Sequence, residues 1–130
     1  MNKYGYTMVE LLAVIAIIGL LFTIATISYT SLIRKSNNTV YENYIYSIHE
    51  AVQTYIIDNP VENGKNETIS LNTLISNNKI GYINNPNDNN DKCLSSYVIA
   101  KRNDKDGVIN YEYDVYLICN DYNKYQPFKN

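Results

Sequence analysis

The sequence predicts an α+β fold: a long N-terminal helix, half membrane-spanning and half amphipathic, packed on a small antiparallel β-sheet. Three observations predict it. Residues 11–33 carry no charged side chain, apolar residues then recur at steps of three or four from Tyr41 to Ile56, and the last third alternates between apolar and polar residues around turn-forming clusters. The 130 residues leave room for one small core plus one apolar segment, and not for two cores.

The helix comes first. Residues 11–33 would span about 35 Å as an α-helix, enough to cross a bilayer core of about 30 Å. Gly19, Thr23, Thr26 and Ser28 are the only residues of 11–28 that are not plainly apolar, and their small side chains would let another helix approach closely. Three readings compete for this stretch. A secretory signal peptide would use Lys3 as its charged start and Thr26-Ile27-Ser28 as a poor cleavage site. A plain anchor is the second. Both leave Glu10 unexplained, because a carboxylate in a membrane segment costs about 2.5–3.5 kcal/mol near the helix centre, and no basic residue within the span could partner it in cis.

The third reading accounts for Glu10. Gly5-Tyr6-Thr7-Met8-Val9-Glu10-Leu11-Leu12, followed by Ala13-Val14-Ile15-Ala16-Ile17-Ile18-Gly19, resembles the cleavage and methylation region of type IV prepilins and pseudopilins. The resemblance implies a leader, residues 1–5, cut by a membrane-embedded prepilin peptidase between Gly5 and Tyr6. It implies N-methylation of Tyr6 and a subunit-assembly role for Glu10, the fifth residue after the cut. Tyr6 stands where the family usually has Phe, and Ile27 where many major pilins have a bending proline. Lys3 precedes the span while Arg34 and Lys35 follow it, so the positive-inside rule alone mildly favours the opposite orientation. The resemblance places the leader in the cytoplasm.

The helix continues beyond the membrane half. Tyr41, Ile45, Ile48, Val52, Tyr55 and Ile56, joined by Tyr44 and Ala51, form an apolar stripe; Glu42, Asn43, Ser47, Glu50 and Gln53 fall opposite. Asn59-Pro60 ends it, since the residue before proline avoids the α region. A polar loop over 61–67 leads to a short helix, residues 70–75, capped by Ser70. Lys79-Ile80-Gly81-Tyr82-Ile83 reads as a helix stop and an extended stretch, followed by the Asn-rich loop 84–91. Residues 97–102 and 108–118 are two strands around the turn cluster 103–107. In the second strand Tyr111, Tyr113, Val115, Leu117 and Cys119 share the face that packs on the helical stripe. Tyr116 and Ile118 lie on the other face, where the tail 121–130 is expected to cover them.

Cys93 and Cys119 are both in the last third. An even count in a short chain that enters or crosses a membrane suggests a disulfide, worth roughly 3.5 kcal/mol by loop entropy; the alternative is two buried thiols. With one histidine elsewhere they cannot form a four-ligand zinc site.

No enzymatic constellation and no cofactor site emerges. His49 has no nucleophile at a telling spacing. Asp104 and Asp106 before Gly107 lack the glutamate and further oxygens of a calcium loop and read as a hairpin turn. Asp88 and Asp91 read as solvated. Tyr122 and Tyr125 suit either packing on the sheet or contacts with other subunits. Net charge is −2 from 11 basic and 13 acidic residues, with no basic stripe for nucleic acid.

Taken with the resemblance, the expected organisation is a leader (1–5), a hydrophobic assembly half-helix (6–33) and a soluble, type IV pilin-like α+β domain (34–130). The expected protein is a filament subunit held as a single-pass precursor in the cytoplasmic membrane with its C-terminal domain outside, then placed in an extracellular pilus or pseudopilus. Its partners would be itself, other pilins, the prepilin peptidase, and the pilus assembly platform and ATPase. A minor pilin or a pseudopilin of a type II secretion or competence machine is the alternative. From another class stands a small binding domain, membrane-anchored or secreted.

Overall fold

The computed structural model describes residues 7–129, with the side chains of 26–28, 30 and 31 excepted. Among these residues the elements run α1 (Met8–Asp58), β1 (Asn66–Ser70), α2 (Leu71–Ser76), β2 (Tyr97–Arg102), β3 (Tyr111–Cys119) and β4 (Tyr122–Lys129). The chain divides into two compact units, Met1–Ser36 and Asn37–Asn130.

The first unit holds the start of α1. Its window Met8–Ala25 has a mean hydropathy of 2.6 and is long and apolar enough to cross a membrane. Leu12, Ile15, Ile18, Leu21 and Phe22 are all exposed, although they point to different sides of the helix. Each such side chain gains about 1.5–3 kcal/mol when removed from water, so a helix apolar all round belongs in lipid or among other helices. Thr23 Oγ1 donates to the Gly19 carbonyl at 2.9 Å, which satisfies its hydroxyl inside the helix.

The second unit is a four-stranded antiparallel sheet of order β1-β2-β3-β4 with the remainder of α1 on one face. Tyr41, Ile45, Ile48, Val52 and Ile56 of α1 are buried in one cluster with Val98 and Ala100 of β2 and Val115 and Leu117 of β3. These helical positions are the 3.6-period stripe, and the strand positions are the period-2 face, so the two local patterns meet in one core. α1 ends at Asp58, two residues before Pro60. The Ser70 Oγ accepts the Thr73 N–H at 3.1 Å and caps α2, which buries Leu71 and Leu74.

The turn between β2 and β3 follows its sequence chemistry. Asp106 and Gly107 have φ of 53° and 78°, the two left-handed central residues of a type I′ turn, closed by paired Lys105 and Val108 backbone bonds.

Four expectations are corrected. The polar loop ends earlier than expected, because β1 begins at Asn66 and pairs with β2. The helix stop falls at Asn78, in the left-handed region (φ 59°), one residue before the expected segment 79–83, with the Lys79 N–H bonded to the Leu74 carbonyl. The second strand starts at Tyr111 instead of 108, since residues 103–110 form the hairpin's end. The tail does not cover the outer face. It is β4, paired edge to edge with β3 from Glu112↔Lys129 to Cys119↔Tyr122. Pairing satisfies backbone N–H and C=O groups that a segment laid over side chains would leave open. Pro127 is tolerated because β4 is an edge strand.

Candidate assembly site and the disulfide loop

At the helix start, Thr7 and Glu10 bond reciprocally. The Thr7 N–H donates to Glu10 Oε2 at 3.2 Å and the Glu10 N–H donates to Thr7 Oγ1 at 3.3 Å. This is a capping box, which satisfies two of the four N–H groups that a helix leaves open at its start, and the carboxylate also faces the positive end of the helix dipole. The Thr-x-x-Glu spacing before an apolar run is its sequence signal, so Thr7 was findable from the sequence and was missed. Glu10 thus has a local bonding partner besides its expected role between subunits. It is the only charged side chain of residues 8–33. Gly5 and Tyr6, the cleavage and methylation residues, lie outside the described residues, and so does the Ile27 side chain.

The second constellation surrounds the cysteines. Cys93 and Cys119 are bonded (S–S 2.07 Å, Cα–Cα 4.4 Å) and both are buried. Asp91 clamps both sides of the bridge: Oδ1 accepts the Cys93 N–H at 2.9 Å and Oδ2 accepts the Asn120 N–H at 2.6 Å. The Asn120 bond, then that of Cys93, holds the Asp91 carboxyl below the usual carboxylate range. Asp91 is therefore a structural acceptor and not the solvated loop residue expected. Its carboxylate and the two Sγ atoms lie within 4.8 Å of one another, but the sulfurs are spent on each other and the oxygens on amides.

Asn85, inside the Asn-rich loop, is fully buried. Its Oδ1 accepts the Tyr41 hydroxyl at 2.8 Å and the Asn87 N–H at 3.0 Å, while its Nδ2 donates to Asp91 and to Asp121. The Tyr41 ring stacks on Tyr122 at 3.8 Å. One amide thus ties α1, the disulfide loop and the β3–β4 turn together, and Asn85 carries no local sequence signal for this. Tyr122 belongs to the packing; Tyr125 sends its hydroxyl to Asp114 Oδ1 at 2.9 Å and remains half exposed.

The other candidates have structural tasks. Asp104 is held by Arg102 in a two-pronged pair, with Nε to Oδ1 at 3.0 Å and Nη2 to Oδ2 at 2.9 Å. His49 stacks on Phe128 at 3.9 Å and meets Tyr113 edge-on at 5.2 Å. Its Nε2 is buried and has no hydrogen-bond partner among the described residues, and burial pushes its pKa down against the pull of Glu50.

A capped apolar helix carrying one carboxylate, and an α+β sheet unit closed by a disulfide, define the class: a protein with one helix long and apolar enough to cross a membrane and one small α+β unit. The family model of the prokaryotic N-terminal methylation motif matches residues 1–26, which supports a type IV prepilin or pseudopilin-type family. The motif points to a structural protein and, in general terms, to other pilins and the prepilin peptidase as partners, and with the apolar helix it fits an inner-membrane precursor. Neither the comparison with curated proteins nor that with solved structures gives a match.

Proposed function

We propose that this chain is a structural subunit of a type IV pilus or related filament. The peptidase removes residues 1–5 by cutting between Gly5 and Tyr6, and Tyr6 is then N-methylated. The half-helix 6–33 packs in the filament core, and the domain 34–130 lines its surface. Glu10 of one subunit holds the Tyr6 ammonium of its neighbour. Two such charges 4 Å apart are worth about 1 kcal/mol in water and about 4 kcal/mol at an effective dielectric near 20. The pairing also offsets the burial cost of both. The capping bond does not preclude this, because an ionised carboxylate has about four lone-pair sites and Thr7 occupies one. The match of residues 1–26 to the methylation motif is the observation that carries the proposal.

Mass spectrometry of the mature N-terminus tests the processing. Methyl-Tyr6 is expected; an intact Met1 or a terminus near Tyr29 overturns the reading. Glu10→Gln tests the pairing, because glutamine retains the capping box but not the charge. That variant should insert and be cleaved, yet fail to enter filaments, and normal incorporation would refute the charge pairing. Ile27 in place of a bending proline favours a second reading, a minor pilin or a pseudopilin of a secretion or DNA-uptake machine, which retains the same processing and pairing.

A further inference from the structure

The β2–β3 hairpin ends in a rigidly braced apolar tip. Val108 and Ile109 are 66% and 60% exposed, yet the backbone beneath them is held from several directions. Besides the I′ turn, Arg102 grips Asp104 and sends Nη1 to the Val61 carbonyl at 2.8 Å, and the Asp104 N–H donates to Asn63 Oδ1 at 3.0 Å. Asn103 N–H bonds to the Asn110 carbonyl at 2.9 Å. Lys105 and Asp106, exposed at the turn, form no ion pair among the described residues. Ordering an exposed aliphatic pair this firmly gains nothing in an isolated subunit, whereas at an interface a pre-ordered anchor binds with less entropy lost.

On the same unit, α1 and β4 leave an open groove lined by Glu42, Ile45, Tyr46, Lys124 and Gln126. Ile45 is its buried floor and Tyr46, 57% exposed, its apolar wall, set edge-on against Phe128 at 5.6 Å. Glu42 and Lys124 approach only to 3.8 Å, and at that distance and exposure the pair holds each other weakly. Both remain able to take a second partner.

We infer that this groove receives the hairpin tip of a second copy of the chain. Val108 and Ile109 lie against Tyr46 and Ile45, Lys105 meets Glu42, and Asp106 meets Lys124. The charges match two for two in opposite sign, and tip and groove are each neutral in sum, which favours neither an anionic lipid surface nor nucleic acid. The contact forms only between copies. Lys124 pairs with Leu117, six strand residues from Tyr111 where the hairpin end begins, or about 20 Å. Tip and groove are different surfaces, so the contact is heterologous, and with a rotation that does not close it repeats into the open filament of the reading above. The inference rests on the filament reading above and adds a subunit contact outside the helices.

The test uses the full chain in a host that assembles its filaments. Ile109→Cys and Tyr46→Cys are introduced together; the native cysteines are bonded to each other. Mild oxidation of filaments should give a ladder of monomer multiples only when both new thiols are present. Independently, Lys105→Glu should cut polymer about tenfold, the size of an interface anchor's loss, and adding Glu42→Lys should restore it. Filaments with methylated Tyr6 but no ladder, wild-type polymer from Lys105→Glu alone, or cross-links only to another protein overturn the contact and leave the filament reading intact. Absence of any polymer from the unaltered chain overturns both.

Discussion

Replacing both Cys93 and Cys119 with alanine perturbs the domain at a point where the cost can be worked out. The bridge joins residues 26 apart. The loop-entropy relation assigns a closed loop of that length about 3.5 kcal/mol. Both sulfurs are buried, and each atom-sized void adds about 1 kcal/mol. The sum, about 5 kcal/mol, equals the low end of a small domain's total stability of about 5–15 kcal/mol. At roughly 4–8 °C per kcal/mol for a domain of this size, the melting midpoint should fall by about 20 °C or more. The 14 tyrosines, many stacked in the sheet unit, supply a near-ultraviolet circular dichroism signal for its packing, measured on the full chain in detergent. A fall of less than about 5 °C would refute the reasoning. It would mean that the Asp91 bonds to Cys93 and Asn120, together with Asn85, order the loop without the covalent link.

Two further outcomes follow from the polar groups. Asn85→Leu keeps the branched shape and the number of heavy atoms but leaves the buried Tyr41 hydroxyl and the Asn87 N–H without their acceptor, so it should cost about 2–4 kcal/mol in denaturant titration; a change under 1 kcal/mol would contradict the network. The pH profile should fall at both ends. His49 has a depressed folded-state pKa, so its contribution is intact above its ordinary 6.5 and is lost as pH falls from there. Asp91, Asp104 and Asp121 are held down chiefly by Asn120, Arg102 and Asn85 respectively, so their contributions, present above the ordinary 3.8, are lost as pH falls through their lower folded values. Burial pushes Tyr113 up to about 12, so its contribution is complete below 10 and lost as pH rises toward 12. Thermal midpoints against pH, with tyrosinate absorbance on the alkaline side, check this. His49→Phe should remove the first acid step, and an unchanged step would assign it elsewhere.

Short-range patterns were legible in the sequence because their physics is short-range. The apolar run, the Tyr41–Ile56 stripe, the Ser70 cap and the Asp106-Gly107 turn each depend on residues within a few positions. The methylation-type octapeptide is equally local. Asn78 was not legible as the stop because a non-glycine residue in the left-handed region has only a weak signature, and the expected stop lay just after it, in 79–83. The pairing of the tail with β3 depends on partners such as Glu112↔Lys129 that are far apart in sequence, so no local pattern announced β4.

The sequence by itself determined the apolar helix, the lone carboxylate at Glu10 within it, and the two surfaces, helical and stranded, that had to meet. The tertiary structure alone decided which polar residues are buried. Asn85 reaches Tyr41 and Asp121 across 44 and 36 positions, and Asp91 reaches Asn120 across 29. No local periodicity encodes such partners. An asparagine surrounded by asparagines becomes a core residue only once folding brings its donors and acceptors around it, since burial without them would cost more than the loop could recover.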